Sequence, residues 1–282
     1  MKAANLHCIL DDTNLWRGHA SMVHEISTDL DVKPDAIFCS VGGAGLIAGV
    51  MVGCEMAGWD DGKYTTIHES LPVLTFNIRS AVPIVALETI GADCFYHSVH
   101  ANRKPRLSTV KSPPLPDGMT MRYDETNGVH VVHLPAITSV ASSLGASSPA
   151  PGAVKMALQR RGSVHCVLVP DALSMQTALS FAGLGSILVP PNIHSDYSVL
   201  PEDHKFLVEL ACSTTLIPAY KRRIFDQILP PRNDGKRRTV VFVVCGGNKT
   251  SLKEMSNYPN IIDQQSGPWK VWVEGKEIDV EK

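Results

Sequence analysis

The run Ala36-Ile37-Phe38-Cys39-Ser40-Val41 is followed directly by Gly42-Gly43-Ala44-Gly45-Leu46, and this stretch decides the fold of the chain. Residues 36–41 are apolar enough to predict a buried strand, and residues 46–57 continue in an apolar helical pattern. Glycines let backbone N–H groups come close to an anion, and the free N–H groups that open a helix add partial positive charge. The stretch therefore predicts a strand, a turn and a helix, with a turn that can hold a phosphate group.

The turn itself does not match two common phosphate-binding motifs. No Gly-Lys-Ser/Thr triplet follows the glycines, which excludes a Walker A loop, and their spacing does not fit the Gly-x-Gly-x-x-Gly of dinucleotide-binding turns. Taken alone, the turn could equally be a tight connection that uses small residues for close packing. The choice between the two depends on the rest of the chain.

Two further predicted strands end in residues that can carry chemistry. Residues 239–244 are a near-continuous β-branched run, which is typical of a strand buried on both faces of a parallel sheet, and Cys245 follows them. Residues 82–87 predict another strand, which Glu88 follows. Open α/β sheets bind their ligands beyond the carboxyl ends of the strands. We therefore expect the glycine turn, a central-strand Cys245 and Glu88 at one edge of a sheet.

The remaining elements alternate between helices and strands. The patterns predict helices over residues 16–30, 138–144, 153–159, 172–182 with Asp171 as N-cap, and 203–229 with a kink near Pro218, and a strand over 164–169. This alternation favours an α/β fold, a three-layer and mostly parallel twisted sheet with helices on both faces. Three Pro-broken stretches interrupt it, at about 62–80, 100–128 and 183–201. They are either irregular surface insertions or gene sequence mistakenly read as coding.

Composition limits the class of protein. At 282 residues, 44% hydrophobic and 19% charged, the chain can bury the core of one large domain or two small ones. Its net charge of −2 argues against nucleic acid as the main partner. It holds no apolar run of about 20 residues and no secretory leader pattern, so we expect no membrane partner. Its seven cysteines lack CxxC spacing, which predicts reduced thiols in the cytoplasm.

Six segments resemble the L-serine/L-threonine dehydratases, which are pyridoxal-phosphate enzymes of fold type II, the tryptophan synthase β-like family. In the order of that family they are LWRGHASMV at 15–23, SVGGAGL at 40–46, ALETIGA at 86–92, LPAITSVA at 134–141, LVELAC at 207–212 and VVCGG at 243–247. The resemblance implies the large cofactor-binding domain of a cytoplasmic enzyme of amino-acid metabolism. Such an enzyme releases ammonia from L-serine, giving pyruvate, or from L-threonine, and is usually a homodimer.

The resemblance also implies cofactor-binding residues. The phosphate of pyridoxal 5'-phosphate would lie against Gly42, Gly43, Ala44, Gly45 and Leu46. Ala44 stands where the family has glycine, and we expect a negative φ there. The thiol of Cys245 would face the pyridine nitrogen, where it is a weak hydrogen-bond partner, and this favours β-elimination. The alternative for Cys245 is a small residue that merely packs at a strand end.

A monovalent-cation site, for K+, is implied as well. Glu88 resembles the carboxylate of that site, to which the carbonyls of Ala92, Leu144 and Ala146 would add oxygen ligands. Cys94 stands where the family often has a serine, and its sulfur is a poor ligand for potassium. The alternative for Glu88 is a solvated charge at a strand end. For Cys212 we expect a buried helix and no catalytic role.

The catalytic lysine is expected to be missing. A pyridoxal-phosphate lyase needs a lysine for its Schiff base, and in the family this lysine lies upstream of the segment that opens this chain. The loop that binds the substrate carboxylate and the small domain are upstream too. Lys249 follows the strand of Cys245 and should not reach the cofactor aldehyde. We therefore expect no turnover by this chain, and the alternative function is a non-catalytic domain that binds a phosphate ligand or a partner protein.

Overall fold

The structure is a computed structural model that describes residues 11–60, 81–103, 115–184, 206–247, 250–265 and 267–282. The first predicted insertion, 62–80, lies outside the described residues. So do residues 104–114 of the second insertion, 185–201 of the third, and Lys249.

In the described part of the chain, eight strands and nine α-helices follow one another. The strands are β1 (Ala36–Ser40), β2 (Ile84–Thr89), β3 (Thr120–Asp124), β4 (Val129–His133), β5 (Val164–Val169), β6 (Val240–Phe242), β7 (Trp269–Val273) and β8 (Lys276–Val280). The helices are α1 (Thr13–Asp29), α2 (Gly45–Met56), α3 (Cys94–Asn102), α4 (Pro151–Gln159), α5 (Asp171–Phe181), α6 (Leu210–Tyr220), α7 (Arg222–Ile228), α8 (Leu252–Met255) and α9 (Tyr258–Asp263).

Six strands form one sheet in the order β6-β1-β2-β5-β7-β8. The first four run parallel, β7 is antiparallel to β5, and β8 is antiparallel to β7. The separate antiparallel pair β3–β4 forms a hairpin, part of which occupies the second predicted insertion. The prediction of a mostly parallel α/β sheet is confirmed.

Helices cover both faces of this sheet. Phe38 and Leu87 belong to one buried cluster, which also holds residues of α5 and α6. Their neighbours Ile37 and Ala86 belong to a second cluster, together with residues of α1, α2 and α4. Successive side chains of a strand point to opposite faces, so the two clusters lie on opposite sides of the sheet. This arrangement has the three layers that the sequence predicts.

The position of β6 corrects one prediction. Residues 239–244 predict a central strand buried on both faces, but the strand spans only Val240–Phe242, which lie half-buried at the edge of the sheet. A β-branched run reports strand propensity, and propensity does not fix the position of a strand in a sheet. Stacking of Phe242 on Phe38, with ring centroids 4.6 Å apart, holds this short edge strand against β1.

The helix predictions need three corrections. Residues 138–144 give only a 3-10 turn at Ser142–Leu144. The region 203–229 is two helices, α6 and α7, which break at Lys221 (φ −119°, ψ 89°), while Pro218 lies inside α6. Asp171 is not the N-cap of α5, because Pro170 holds that position in an extended conformation and the Asp171 carboxylate bonds elsewhere.

The sequence analysis did not predict two helices, α3 and α9, and four strands, β3, β4, β7 and β8. Of these, β7 has the clearest pattern, since Trp269, Val271 and Val273 are buried and Lys270 is exposed between them. Among the helices of the described ranges, none is long and apolar enough to cross a membrane.

Candidate functional site

Three neighbouring parallel strands bring the predicted site residues to one edge of the sheet. β1 lies between β6 and β2, so the glycine turn after β1 is flanked by the ends of the other two strands. The Val243 N–H donates to the Phe38 carbonyl (2.9 Å), and the Val41 N–H donates to the Leu87 carbonyl (2.9 Å). The expected shared edge of the glycine turn, Cys245 and Glu88 is therefore present, although β6 is the outermost strand there.

The glycine turn presents unused backbone N–H groups. Within the described residues, the amides of Gly43, Ala44, Gly45 and Leu46 donate no hydrogen bond to the protein, whereas the Gly43 carbonyl accepts one from Ala150 (3.0 Å). These amides lead into the N-terminus of α2, whose dipole adds partial positive charge. This donor set fits a phosphate group, which offers several acceptor oxygens.

Ala44 has a positive φ, which contradicts the expectation. It is the N-cap residue of α2 with φ 71° and ψ 7°, in the left-handed region. A Cβ in that region costs about 1–2 kcal/mol. The methyl group is 3% exposed and packs in the same cluster as Ile47, and this burial offsets part of the strain.

Gly42 is in close contact with two other parts of the site. A Cβ at this position would lie 2.9 Å from the backbone oxygen of Leu144. The Cys94 thiol donates to the carbonyl of Gly42 at 3.7 Å. The 3-10 turn and the start of α3 therefore both pack on the first residue of the glycine turn.

Glu88 is fully buried, so the alternative of a solvated charge is wrong. One carboxylate oxygen accepts the N–H of Phe95 (3.0 Å) and the other accepts the N–H of Tyr96 (2.6 Å), both in the first turn of α3. Burial raises the pKa of Glu88 well above its ordinary value of 4.5, and the nearby charge of Asp93 raises it further, while the two amides act in the opposite direction. Glu88 thus binds the N-terminus of α3.

Asp93 is an acidic residue of this site that the sequence analysis missed. It is 4% exposed, and its Oδ2 lies 3.3 Å from Nε2 of His97. Its Oδ1 is buried and has no hydrogen-bond partner among the described residues. A buried carboxylate oxygen without a partner is costly unless a cation or water binds it. Recognition of α3 in the sequence would have placed Asp93 at its N-cap.

Of the three carbonyls predicted as cation ligands, that of Leu144 already accepts a hydrogen bond. The Ala92 N–H donates to the Thr89 carbonyl (2.9 Å), and the Ala146 N–H donates to the Leu144 carbonyl (2.7 Å). The described contacts link neither Ala92 nor Ala146 to Glu88, and the described residues hold no metal-binding group of three or more His, Cys, Asp or Glu residues. A cation site would thus depend on backbone carbonyls.

Cys245 lies against Cys212. Cys245 is exposed, Cys212 is buried on α6, and their sulfur atoms are 3.9 Å apart. The hydrogen bond between the sulfurs raises the pKa of Cys212, which burial raises further, and the same bond lowers the pKa of Cys245 to about 7. Either sulfur can donate while both thiols are protonated, and once Cys245 is a thiolate the Cys212 thiol must be the donor. The predicted buried helix around Cys212 is confirmed.

A polar network joins the ends of β2 and β5, and the sequence analysis missed it. The Ser139 hydroxyl lies 2.7 Å from Oγ1 of Thr89 and donates to the Asp171 carboxylate at 2.7 Å, which also accepts the Val140 N–H at 3.0 Å. Burial raises the pKa of Asp171, and both hydrogen bonds oppose that shift. The network fixes residues 139–141 at the same sheet edge as the glycine turn.

Comparisons with known proteins agree with this arrangement. A family model described as "Pyridoxal-phosphate dependent enzyme" matches residues 8–246. The human protein named L-serine dehydratase/L-threonine deaminase is 30% identical over 249 residues, which are 87% of this chain and 54% of that protein. The protein of the same name from Bos taurus is 28% identical over 249 residues, again 87% and 54%. The chain spans about half the length of the curated relatives it matches.

Solved structures are similar as well. A fungal L-serine ammonia-lyase from Rhizomucor miehei gives a TM-score of 0.58 at 25% identity, covering 87% of this chain and 56% of that one. The processed form of threonine deaminase isoform 2 from Solanum lycopersicum gives a TM-score of 0.54 at 15% identity, covering 90% and 49%. The second likeness concerns the fold alone.

Proposed function

The chain belongs to the family of pyridoxal-phosphate-dependent enzymes, and from this premise we propose that it is the cofactor-binding part of an L-serine ammonia-lyase. The reaction is a β-elimination that converts L-serine to pyruvate and ammonia, with L-threonine as a second substrate. The observation that carries the proposal is the placement of the free-amide turn after β1 beside Cys245 after β6, on adjacent parallel strands. A cytoplasmic location and a homodimer, both implied by the resemblance, belong to the same proposal.

The cofactor supplies an electron sink when it is bound, and the chain supplies the binding groups. The amides of Gly42, Gly43, Ala44, Gly45 and Leu46 would hold its phosphate. Adjacent strands lie about 4.8 Å apart, a distance that one small heterocycle spans, so Cys245 could contact the ring nitrogen. Because Cys212 lowers the pKa of Cys245 to about 7, this sulfur can accept or donate a hydrogen bond near neutral pH.

A monovalent cation is the second part of the proposal. Glu88, Ala92, Leu144 and Ala146 would surround it, and K+ suits a site rich in carbonyl oxygens. The Oδ1 of Asp93, which has no hydrogen-bond partner among the described residues, adds a further oxygen next to Cys94. Two buried carboxylates at the start of α3 repel each other, so a cation there would lower the cost of ionising both.

We also infer that this chain alone does not turn over serine. Three of the described lysines bind groups elsewhere in the chain. Lys221 donates to the Glu281 carbonyl, Lys270 pairs with Glu277, and Lys282 donates to the Ile262 carbonyl. No contact among the described residues brings a lysine to the glycine turn or to Cys245. This observation also favours the second candidate function, a domain that binds a phosphate ligand without catalysis.

Cofactor binding tests the proposal. Leu46 lies half-buried at the start of α2, and Leu46→Glu would place a negative charge near the phosphate, while Leu46→Gln is the neutral control of the same size. Leu46 packs against the buried cluster that holds Ile47, and both variants remove that apolar contact, so the difference between them reports the charge near the phosphate. We expect the chain to bind pyridoxal 5'-phosphate. We expect Leu46→Glu to bind it about tenfold more weakly than Leu46→Gln, because charge repulsion of about 1.4 kcal/mol lowers the affinity by that factor.

Fluorescence titration measures this affinity, and a coupled assay for pyruvate measures turnover. Equal affinities of the two Leu46 variants would contradict the phosphate site. Binding together with pyruvate release from serine would contradict our inference about the lysine, and binding of inorganic phosphate with no preference for the whole cofactor would favour the second candidate.

A further inference from the structure

We propose that Cys212 and Cys245 form a peroxide-sensitive thiol pair that closes into an intramolecular disulfide. The proposal rests on the contact between the two sulfur atoms and on their unequal environments. It does not require the proposed function, because it concerns the chemistry of the two thiols alone.

The geometry allows closure with a small movement. The sulfur atoms are 3.9 Å apart, and a disulfide bond is about 2.0 Å long, so the atoms must approach by about 2 Å. Cys245 can make this movement because it lies beyond the end of β6, in a segment without regular structure that continues into Gly246 and Gly247. A hydrogen bond from the Glu209 N–H to the Gly246 carbonyl (3.3 Å) keeps that segment beside the start of α6.

The two thiols are suited to different roles. Cys245 is exposed and can meet a dissolved oxidant, whereas Cys212 is 1% exposed. The hydrogen bond from Cys212 lowers the pKa of Cys245 to about 7, against burial and the charge of Glu209, which both raise it. Thiolates are the reactive form of cysteine. Cys245 is therefore the thiol that reacts with the oxidant, and Cys212 is the resolving thiol.

Hydrogen peroxide is the oxidant. The Cys245 thiolate attacks one peroxide oxygen, the O–O bond breaks, and the leaving hydroxide takes up a proton to become water, which leaves Cys245 as a sulfenic acid. The Cys212 sulfur then loses its proton and attacks the Cys245 sulfur, the S–O bond breaks, and a second water leaves. Two thiols and one peroxide thus give one disulfide and two waters, and two electrons pass from sulfur to oxygen.

The disulfide would also affect the cofactor, a consequence that does rest on the proposed function. It would occupy the sulfur that faces the pyridine nitrogen in that proposal. We expect the oxidised chain to bind pyridoxal 5'-phosphate more weakly than the reduced chain, with dithiothreitol restoring binding. Disulfide formation without any change in binding would contradict the assigned role of Cys245 and would leave the thiol pair established.

Peptide mapping of the wild-type chain tests the pair directly. The reduced chain is treated with about one equivalent of hydrogen peroxide, alkylated, and digested with trypsin. Residues 206–221 and 239–249 form two tryptic peptides with one cysteine each, Cys212 and Cys245. We expect mass spectrometry to find them linked, lighter than their sum by two hydrogen atoms, while the buried Cys39, Cys54, Cys94 and Cys166 stay reduced. Oxidised Cys245 beside alkylated Cys212, or a disulfide between two chains, would overturn the proposal.

Two substitutions of Cys212 separate its two roles. Cys212→Ser keeps a hydrogen-bond donor but cannot form the disulfide, so a dimedone probe should trap sulfenic acid at Cys245. Cys212→Ala loses the donor as well. If the pKa of Cys245 returns to its ordinary value of 9.0, its thiolate fraction at pH 7 falls about fiftyfold. The thiolate that remains is more nucleophilic, which raises its reaction rate about eightfold and offsets part of the loss.

We therefore expect iodoacetamide to alkylate Cys245 about sixfold more slowly in Cys212→Ala than in wild type at pH 7. Equal rates would show that Cys212 does not activate Cys245 and would contradict the assigned roles. The mapping experiment needs no variant, so the proposal can be tested even if either substitution reduces folding.

Discussion

The carboxylate of Glu88 accepts the backbone N–H of Tyr96 at 2.6 Å, inside a fully buried region. This hydrogen bond joins the end of β2 to the first turn of α3. It does so through a side chain to which the sequence analysis assigned a cation-binding role. The two amides favour the ionised acid, and burial with the neighbouring Asp93 favours the neutral one. The net effect raises the pKa of Glu88, and this has a measurable consequence for stability.

We predict that Glu88 makes the fold less stable as the pH rises. Its pKa is higher in the folded state than the ordinary 4.5, so the folded state binds more protons than the unfolded chain. The stabilisation by neutral Glu88 is present below pH 4.5 and is lost as the pH rises through the folded-state pKa. Between the two pKa values the loss is about 1.4 kcal/mol per pH unit. Urea unfolding at a series of pH values measures it.

The substitution Glu88→Gln removes this titration and is the control. Asp11 and Asp171 also have raised pKa values and contribute in the same direction, so the informative quantity is the difference between wild type and Glu88→Gln. We expect the unfolding free energy of wild type minus that of Glu88→Gln to decrease from pH 5 to pH 8. A difference that does not depend on pH would show that Glu88 has an ordinary pKa in the fold.

Potassium should counteract this loss. A cation bound by Glu88 favours the carboxylate and stabilises the folded state by mass action. At pH 8 we expect a higher melting temperature in potassium chloride than in choline chloride of equal ionic strength, and no such difference in Glu88→Gln. Equal melting temperatures of wild type in both salts would contradict the cation site.

Ser139 is predicted to be important for stability. Its hydroxyl contacts Thr89 and Asp171 within a half-buried network, and Ser139→Ala leaves the Asp171 carboxylate with one fewer donor. Removing a buried partner in this way costs about 1–3 kcal/mol. The exposed Ser142 offers a control, since Ser142→Ala should change the unfolding free energy by less than about 0.5 kcal/mol. A cost for Ser139→Ala as small as that of the control would mean that the network adds nothing to stability.

The sequence was sufficient to predict elements with strong local patterns. The run through β1 and α2 predicts the strand, turn and helix within one or two residues, because apolar periodicity and glycine act locally. The central or edge position of β6 depends on which strand lies beside it, and no local pattern contains that information. The short α3 escaped prediction because five of its nine residues are buried, which hides an amphipathic pattern.

The same limit applies to the site. Gly42, Cys245 and Glu88 could be placed at one edge because each follows a strand, and parallel strands end together. The contacts of Glu88 with α3, of Cys245 with Cys212, and of Ser139 with Asp171 join residues that are 7, 33 and 32 positions apart. Such pairings depend on how helices pack on the sheet, which a single sequence does not specify.

The left-handed conformation of Ala44 leads to the last prediction. Ala44 and Ala48 are both buried in α2 or at its start, at 3% and 0% exposure, so substitution by glycine removes one buried methyl group from each. Glycine relieves about 1–2 kcal/mol of strain at position 44, where φ is positive, but loses helix propensity of about 1 kcal/mol at position 48. We expect Ala44→Gly to stay within about 0.5 kcal/mol of wild type and Ala48→Gly to lose about 2 kcal/mol in urea unfolding. Equal losses would place Ala44 in an unstrained conformation, and the glycine turn would then differ from the one described.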